Sequence, residues 1–392
     1  MNIPKLRFPE FSGEWEEKKL ADIALFSKGK GYTKNDLQKN GTPIILYGRM
    51  YTKYETIIDN VDSFVSMQNG SVISKGGEII VPASGETAEE ISRASVVKNK
   101  GIIIGGDLNI ISIPTDKFSS SFLALNISNG DSQRKLSKLA QGKSVVHLHN
   151  EDLSNLEIKI PSLPEQQKIA DFLSNVDSII TAETKILNTL QKKKKALMQK
   201  LFTQQLRFKS EDGTNFPAWE EKKLGECVEI LDSQRKPIES KERANRKGEY
   251  PYYGASGIID YIDDYLFEGE SILLGEDGAN IINRNSRLAF IATGKYWVNN
   301  HAHIMKANAD NLNHFICEYL ESLDYSKICA GSAQPKLTQD VIRNLTIKAP
   351  CKEEQQKIAD CLSSLDSLIQ TQQKVVTTWQ QRKKALLQQM FI

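Results

Sequence analysis

Two short strings each occur twice in this chain. WEEKKL stands at residues 15–20 and returns at 219–224, 204 positions on; EQQKIAD stands at 165–171 and returns at 354–360, 189 positions on. An internal repeat dictates architecture before any local propensity does. The interior of the first copy is 15 residues longer than that of the second, and beyond it the register holds without a gap. NLEIKIP at 155–161 matches NLTIKAP at 344–350, and KKKALM at 193–198 matches RKKALL at 382–387. LRF also recurs, at 6–8 and 206–208. Each half therefore reads as a divergent body with a shared beginning and a shared tail.

The tail has the pattern of one long helix. Ser162, Pro164 and Glu165 form a start signal, with Ser-x-x-Glu as a capping box. Apolar residues follow at 3-4 spacing: Ile169, Phe172, Val176, Ile179, Ile186, Leu190 and Leu197, and in the copy Ile358, Cys361, Leu365, Leu368, Val375, Trp379 and Leu386. The run lasts about five heptads without Gly or Pro, which predicts a coiled-coil seam. Glu183 and Gln372 interrupt the seam at the same position of the two copies, as a buried polar pair that fixes register would. Residues 165–183 carry a balance of −3 and residues 184–203 one of +6, and the second tail repeats this gradient. Each helix thereby complements its own macrodipole, and an antiparallel pair also sets acid against base. Helices of about 38 residues would make a rod of about 57 Å with a body at each end.

The bodies, residues 21–143 and 225–332, carry short strand-like runs. GEIIVPA, ASVV and NIISIP in the first answer to SILLG, RLAFIA and AHIMKA in the second, with a helix after each set around SSFLALNI and NHFICEYLESL. The predicted class is α+β: two mixed, strand-rich bodies separated by two long helices in an antiparallel coiled coil, with internal pseudo-twofold symmetry. The expected divisions are 1–160, first body; 161–203, first spacer helix; 204–349, second body; and 350–392, second spacer helix.

Basic and aromatic residues crowd the connections, as phosphate neutralisation and base-edge reading require. The candidates in the first body are Lys28, Lys30, Tyr32, Arg49, Tyr51, Ser84, Gly85, Thr87 and Lys143. In the second they are Tyr252, Tyr253, Asp277, Asn280, Arg284, Arg287, Gln334 and Lys336. The net charge of +2 does not decide for or against nucleic acid, so the argument rests on where the charges lie.

These residues carry a resemblance. PSLPEQQKIADFLSNVDSII and PCKEEQQKIADCLSSLDSLI, with WEEKKLGE, YPYYGASGIIDYI and GSAQPKLTQDVIRNLTIKAP, resemble the DNA specificity subunits of type I restriction-modification systems over nearly the whole chain. The resemblance implies that each body is a target recognition domain for one half of a split DNA site. It further implies that the helices set the gap and bind two adenine methyltransferase subunits, to which restriction subunits are added. Shared ends would then hold identical partners, and divergent interiors would read different sequences. The alternative is a structural adaptor whose bodies bind proteins.

No catalytic constellation survives comparison of the two copies. GKS at 142–144 lacks the upstream Gly of a Walker motif, since Ser137 stands there, and its repeat keeps nothing of it. Glu157-Ile-Lys159 becomes Thr346-Ile-Lys348. His147-x-His149 and His301-x-His303 each put two imidazoles on one strand face without a completing ligand set, so no metal is expected. No Pro-Pro occurs, hence no amino-methyltransferase signature. This chain is expected to be non-catalytic and to bind no cofactor itself; S-adenosylmethionine, ATP and Mg belong to partner subunits. Five unclustered cysteines, no apolar run of membrane length and no signal-like N-terminus predict a cytoplasmic protein.

Overall fold

The computed structural model describes residues 2–140, 142, 145–328 and 335–391. Two compact units are present, Met1–Glu183 with Val375–Ile392, and Thr184–Lys374, so each long helix contributes to both.

Among the strands of the first unit are β1 (Glu16–Lys19), β2 (Leu25–Lys28), β3 (Ile57–Ile58), β4 (Glu78–Pro82), β5 (Ser84–Gly85), β6 (Ser95–Val97) and β7 (Leu108–Ser112). After α1 (Ser120–Ile127) come β8 (Val146–His147), β9 (Glu157–Ile160) and the helix α2 (Leu163–Phe202). The main sheet has the order β2-β7-β4-β6-β3. Its central strands are buried along their length, which is why they read as continuous apolar runs rather than alternating ones.

The second unit repeats this core. Its strands include β10 (Glu220–Lys223), β11 (Val228–Ile230), β12 (Lys247–Gly254), β13 (Gly257–Ile262), β14 (Ser271–Gly275), β15 (Ala289–Ala292) and β16 (Ala302–Ala307). They are followed by α3 (Asn313–Ser322), β17 (Thr346–Ala349) and the helix α4 (Lys352–Met390). The sheet order β11-β16-β14-β15 matches β2-β7-β4-β6 strand for strand. The hairpin β12–β13 belongs to a separate four-stranded sheet, in which β12 also lies parallel to Lys295–Val298; the first unit has a three-stranded counterpart, with Thr42–Ile45 antiparallel to Phe64–Val65 and parallel to Ile103–Ile104.

The recurring strings now have a physical reason. WEEKKL forms β1 and β10, which pair antiparallel with the shared strands β9 and β17: Glu16 lies opposite Ile160, and Glu220 opposite Ala349. In EQQKIAD the glutamate is buried and held from three sides. Arg7 donates to both oxygens of Glu165 at 2.7 Å, and the Trp15 indole N–H donates at 3.3 Å. Arg207 and Trp219 do the same to Glu354, at 2.6–3.1 Å. The next residue stitches helix to body. Gln166 accepts from the Ser119 amide just ahead of α1 and donates to Pro161 O, while Gln355 accepts from the Leu312 amide just ahead of α3 and donates to Pro350 O. Glu165 is thus drawn to Arg7 and Trp15 rather than closing the expected capping box, because a guanidinium in the buried clasp binds a carboxylate more strongly than a chain-end amide does.

Within the first unit the start of α2 runs against the end of α4 in the opposite direction. Ile169 and Leu173 share a core with Met390 and Phe391, and Lys383 pairs with Asp177. The second unit shows the reciprocal arrangement: Met198 and Leu201 share a core with Ile358 and Leu362, and Lys194 pairs with Asp366. The two ion pairs are one pair of positions with the helices exchanged, acid early against base late as the charge gradient predicts.

The seam keeps part of the expected stripe and shifts by one residue elsewhere. Ile169, Val176 and Ile358 are buried, Phe172, Leu190, Leu365, Val375 and Trp379 are half-buried, and Glu183 and Gln372 are half-buried as well. Ile179, Ile186 and Leu368, however, face outward at 36%, 47% and 54% exposure. Leu187, next to Ile186, is buried instead, as are Leu173, Leu362 and Val376, next to Phe172, Cys361 and Val375. The helices carry two adjacent apolar stripes at heptad spacing, and spacing alone does not say which one faces inward.

Candidate nucleic-acid interface

In the first unit several chain segments meet at one end of the main sheet. Lys28 ends β2 opposite Asn109 on β7. Gly29 donates to Leu108 O, and Gly106 donates to Gly31 O, so two glycine-bearing turns lie backbone against backbone. A methyl on Gly29 would come 1.9 Å from Gly105 O. Gly29→Ala is therefore expected to cost about 1–3 kcal/mol through overpacking, read as a lower urea midpoint. Gly48→Ala, whose methyl would meet nothing within 4 Å, serves as the unchanged control.

Beside these turns β5 pairs with β8, His147 opposite Ser84. Tyr51 donates to Ser84 O at 2.6 Å, and burial pushes its phenol up to about 12. Gly85 is required here, because a methyl would sit 2.7 Å from that phenol oxygen. Leu148 donates to Ala83 O, and Asn109 reaches across to Leu148 O at 2.9 Å. Lys28, Lys30, His147 and His149 are exposed, and neither lysine has an ion pair among the described residues.

The second unit assembles the same end from different residues. Asp232 follows β11 where Lys28 ends β2, Glu276 and Asp277 follow β14, His301 and His303 flank the start of β16, and Lys336 and Leu337 pair with the 276–277 segment. The tip of the β12–β13 hairpin is packed on Gly275, where a methyl would come 2.6 Å from Ala255 O. Ile258, Ile259 and Tyr261 of that hairpin are 46–52% exposed.

Several expected contact residues prove to be committed within the protein. Arg49 pairs with Glu55 and Asp62 and donates to Asn60 O. Arg284 pairs with Glu321, and Arg287 with Glu318 and Asp366. Tyr252 is fully buried, its hydroxyl accepting from the Ile238 amide; Tyr253 packs against Phe290 and Tyr296. Thr87 caps a short helix, Asn280 closes a turn onto Ser286, and Tyr32 is bonded to Ser71 and Gln68. A basic or aromatic side chain carries no mark of direction in the sequence, and here most of these bond to partners within the protein. Asp277 pairs with His301, and Lys336 with Glu276, both at the sheet end. Lys143 and Gln334 lie outside the described residues.

Conversely, His147 and His149, stacked with ring centroids 6.4 Å apart, and the exposed hairpin of the second unit stand at this end although their residue types do not single them out as contacts. The alternation around His147 and His149 is visible in the sequence, where the pair reads as a metal-site pattern. Among the described residues no group of three or more His, Cys, Asp or Glu is placed to hold a metal ion, and no helix is long and apolar enough to cross a membrane.

Comparison with known proteins adds the following. The model of the type I restriction modification DNA specificity domain matches twice, at residues 12–192 and 218–378. A type I restriction enzyme specificity subunit of Methanocaldococcus jannaschii is 26% identical over 97% of this chain and 92% of its own length. A putative one of Haemophilus influenzae is 35% identical, over 38% of this chain and 37% of its own length. The crystal structure of a type I restriction-modification S subunit from M. genitalium superposes with a TM-score of 0.66 at 17% identity, covering 100% of this chain and 99% of that one.

Proposed function

We propose that this chain, which belongs to the type I restriction modification DNA specificity family, reads a bipartite duplex site with one half-site per unit. The observation that carries this reading is the reuse of one scaffold for two unlike surfaces. Sheet order and clasp are the same in both units, while the residues at the same sheet end are Lys28, Ser84, Asn109 and His147 in one and Asp232, Asp277, His303 and Lys336 in the other. Identical supports carrying different residues suit two different half-sites better than two copies of one ligand.

In this reading the chain is non-catalytic. Two adenine methyltransferase subunits dock on the helices, where the outward-facing Ile179, Ile186 and Leu368 offer exposed apolar side chains. Restriction subunits complete the assembly, and S-adenosylmethionine, ATP and Mg are held by the partners. The complex acts in the cytoplasm, where the duplex is.

Selection of bound duplexes from a random library by this chain with its methyltransferase partner tests the proposal. Two unlike half-sites separated by a fixed gap are expected, with affinity falling steeply as salt rises. Inserting seven residues into both helices, after Glu183 and after Gln372, adds about 10.5 Å to each and is expected to lengthen the gap by roughly three base pairs. A single continuous site, or an unchanged gap, would refute the division of labour.

A further inference from the structure

One set of hydrogen bonds recurs at the same sheet end of both units. In the first, Leu148 donates to Ala83 O, Ala83 donates to Asp107 O, and the Asn109 side chain donates to Leu148 O. In the second, Leu337 donates to Glu276 O, Glu276 donates to His301 O, and His303 Nε2 lies 2.8 Å from Leu337 O. His147 lies opposite Ser84 in one short ladder, and Lys336 lies opposite Asp277 in the other. Position by position, Ser84 therefore answers to Asp277, Asp107 to His301, Asn109 to His303 and His147 to Lys336.

These four positions are of two kinds. Asn109 and His303 are each 1% exposed and do the same work, tying the central strand to the carbonyl of the returning segment. Amide and imidazole serve that support equally. The other three positions reach the surface. Asp107 and His147 are exposed and Ser84 is half-buried, while Asp277, His301 and Lys336 are 36%, 51% and 54% exposed. No position of the three keeps its chemistry: hydroxyl becomes carboxylate, carboxylate becomes imidazole, and imidazole becomes ammonium.

The three also lie together. Asp277 Oδ2 is 2.8 Å from His301 Nδ1, and Lys336 flanks Asp277 across the ladder. Asp277 Oδ1 accepts no hydrogen bond among the described residues. In the first unit the backbone under this surface is held again by Tyr51, which donates to Ser84 O at 2.6 Å. Side chains mounted on a backbone fixed in this way lose little further freedom on binding. Base edges differ in their pattern of donors and acceptors, which is what changes between the two sets.

We propose that these three positions form the specificity-determining head of each unit: Ser84, Asp107 and His147 in the first, Asp277, His301 and Lys336 in the second. This rests on the DNA-reading function proposed above. Because equivalent hydrogen bonds hold both heads, the side chains are exchangeable, and base choice moves with them from one unit to the other.

Random-library selection with the full chain and its methyltransferase partner tests this on the parent and on two grafts. The first graft carries Ser84→Asp, Asp107→His and His147→Lys; the second carries Asp277→Ser, His301→Asp and Lys336→His. Asp107 has a φ of 58°, a region that His tolerates better than most residues. Each graft is expected to change one half of the selected site only. At the base pairs its head touches, that half should take on the bases of the opposite half, with discrimination shifted by about tenfold. The untouched half is expected to change by less than about twofold. Asp277→Ala removes a single surface side chain and does not depend on a triple variant folding; it should relax one base pair of one half by about tenfold. Grafts that keep the parental bases, change both halves alike, or erase preference without importing the other half's bases overturn the inference, as does an Asp277→Ala chain that selects as the parent does. A parent chain that selects no sequence overturns the DNA reading itself.

Discussion

Glu354→Ala is expected to lower the melting transition of the second unit by about 10 °C, from a loss of about 3–5 kcal/mol. The carboxylate is fully buried and takes two bonds from Arg207 and one from the Trp219 indole. Its removal leaves the indole N–H without an acceptor and the guanidinium, 26% exposed, without its charge partner. Arg207 keeps bonds to Phe216 O and Pro217 O, and these hold the strap but do not neutralise it. Glu354→Gln preserves shape and one acceptor and is expected to lose roughly half as much. Because Arg7, Trp15 and Glu165 repeat the geometry, Glu165→Ala should produce an equal loss in the first unit. Differential scanning calorimetry of the two variants checks both statements. A Glu354→Ala chain melting with the parent would mean that the recurring motifs do not act as a clasp.

This clasp also shows what was legible in the sequence. The repeat announced two bodies, two helices and their antiparallel pairing, since identical strings require identical surroundings, and the acid-to-base gradient excluded the parallel choice. The strands were legible as apolar runs. What escaped was side-chain direction. Tyr252 and Arg287 look like ligand contacts by type, yet one is core and the other serves a buried carboxylate. Ile179 and Leu173 are equally apolar and six residues apart, and only packing decides which enters the seam. The contacts that define the sheet end join residues far apart in the chain, such as Lys28 to Asn109 and Ser84 to His147, and local patterns carry no trace of such pairing.

The ion pairs between the helices lead to the sharpest contrast. Lys194 and Lys383 occupy one position of the repeat, as do Asp366 and Asp177, but their settings differ. Lys383 and Asp177 are 20% and 35% exposed, so Lys383→Ala is expected to cost less than about 1 kcal/mol. Lys194 is 9% exposed and sits 2.8 Å from Glu318 Oε2 and 2.6 Å from Asp366 Oδ2, while Arg287 faces the same two carboxylates. Lys194→Ala leaves two carboxylates against one cation, with Glu318 only 8% exposed, and is expected to cost about 3–5 kcal/mol. Lys194→Met separates charge from packing: it keeps the stem and should remain nearly as damaging if the carboxylates need the ammonium. The first unit suggests the rescue. Leu125 on α1 stands at the place of Glu318 on α3, as Phe122 and Phe315 do one turn earlier. Adding Glu318→Leu to Lys194→Met should therefore restore most of the lost stability, since Asp366 keeps Arg287 and no buried charge is left alone. Urea unfolding of the four chains measures the coupling. A double variant no more stable than Lys194→Met would mean that Glu318 serves the packing of α3 and not the charge balance at the helix.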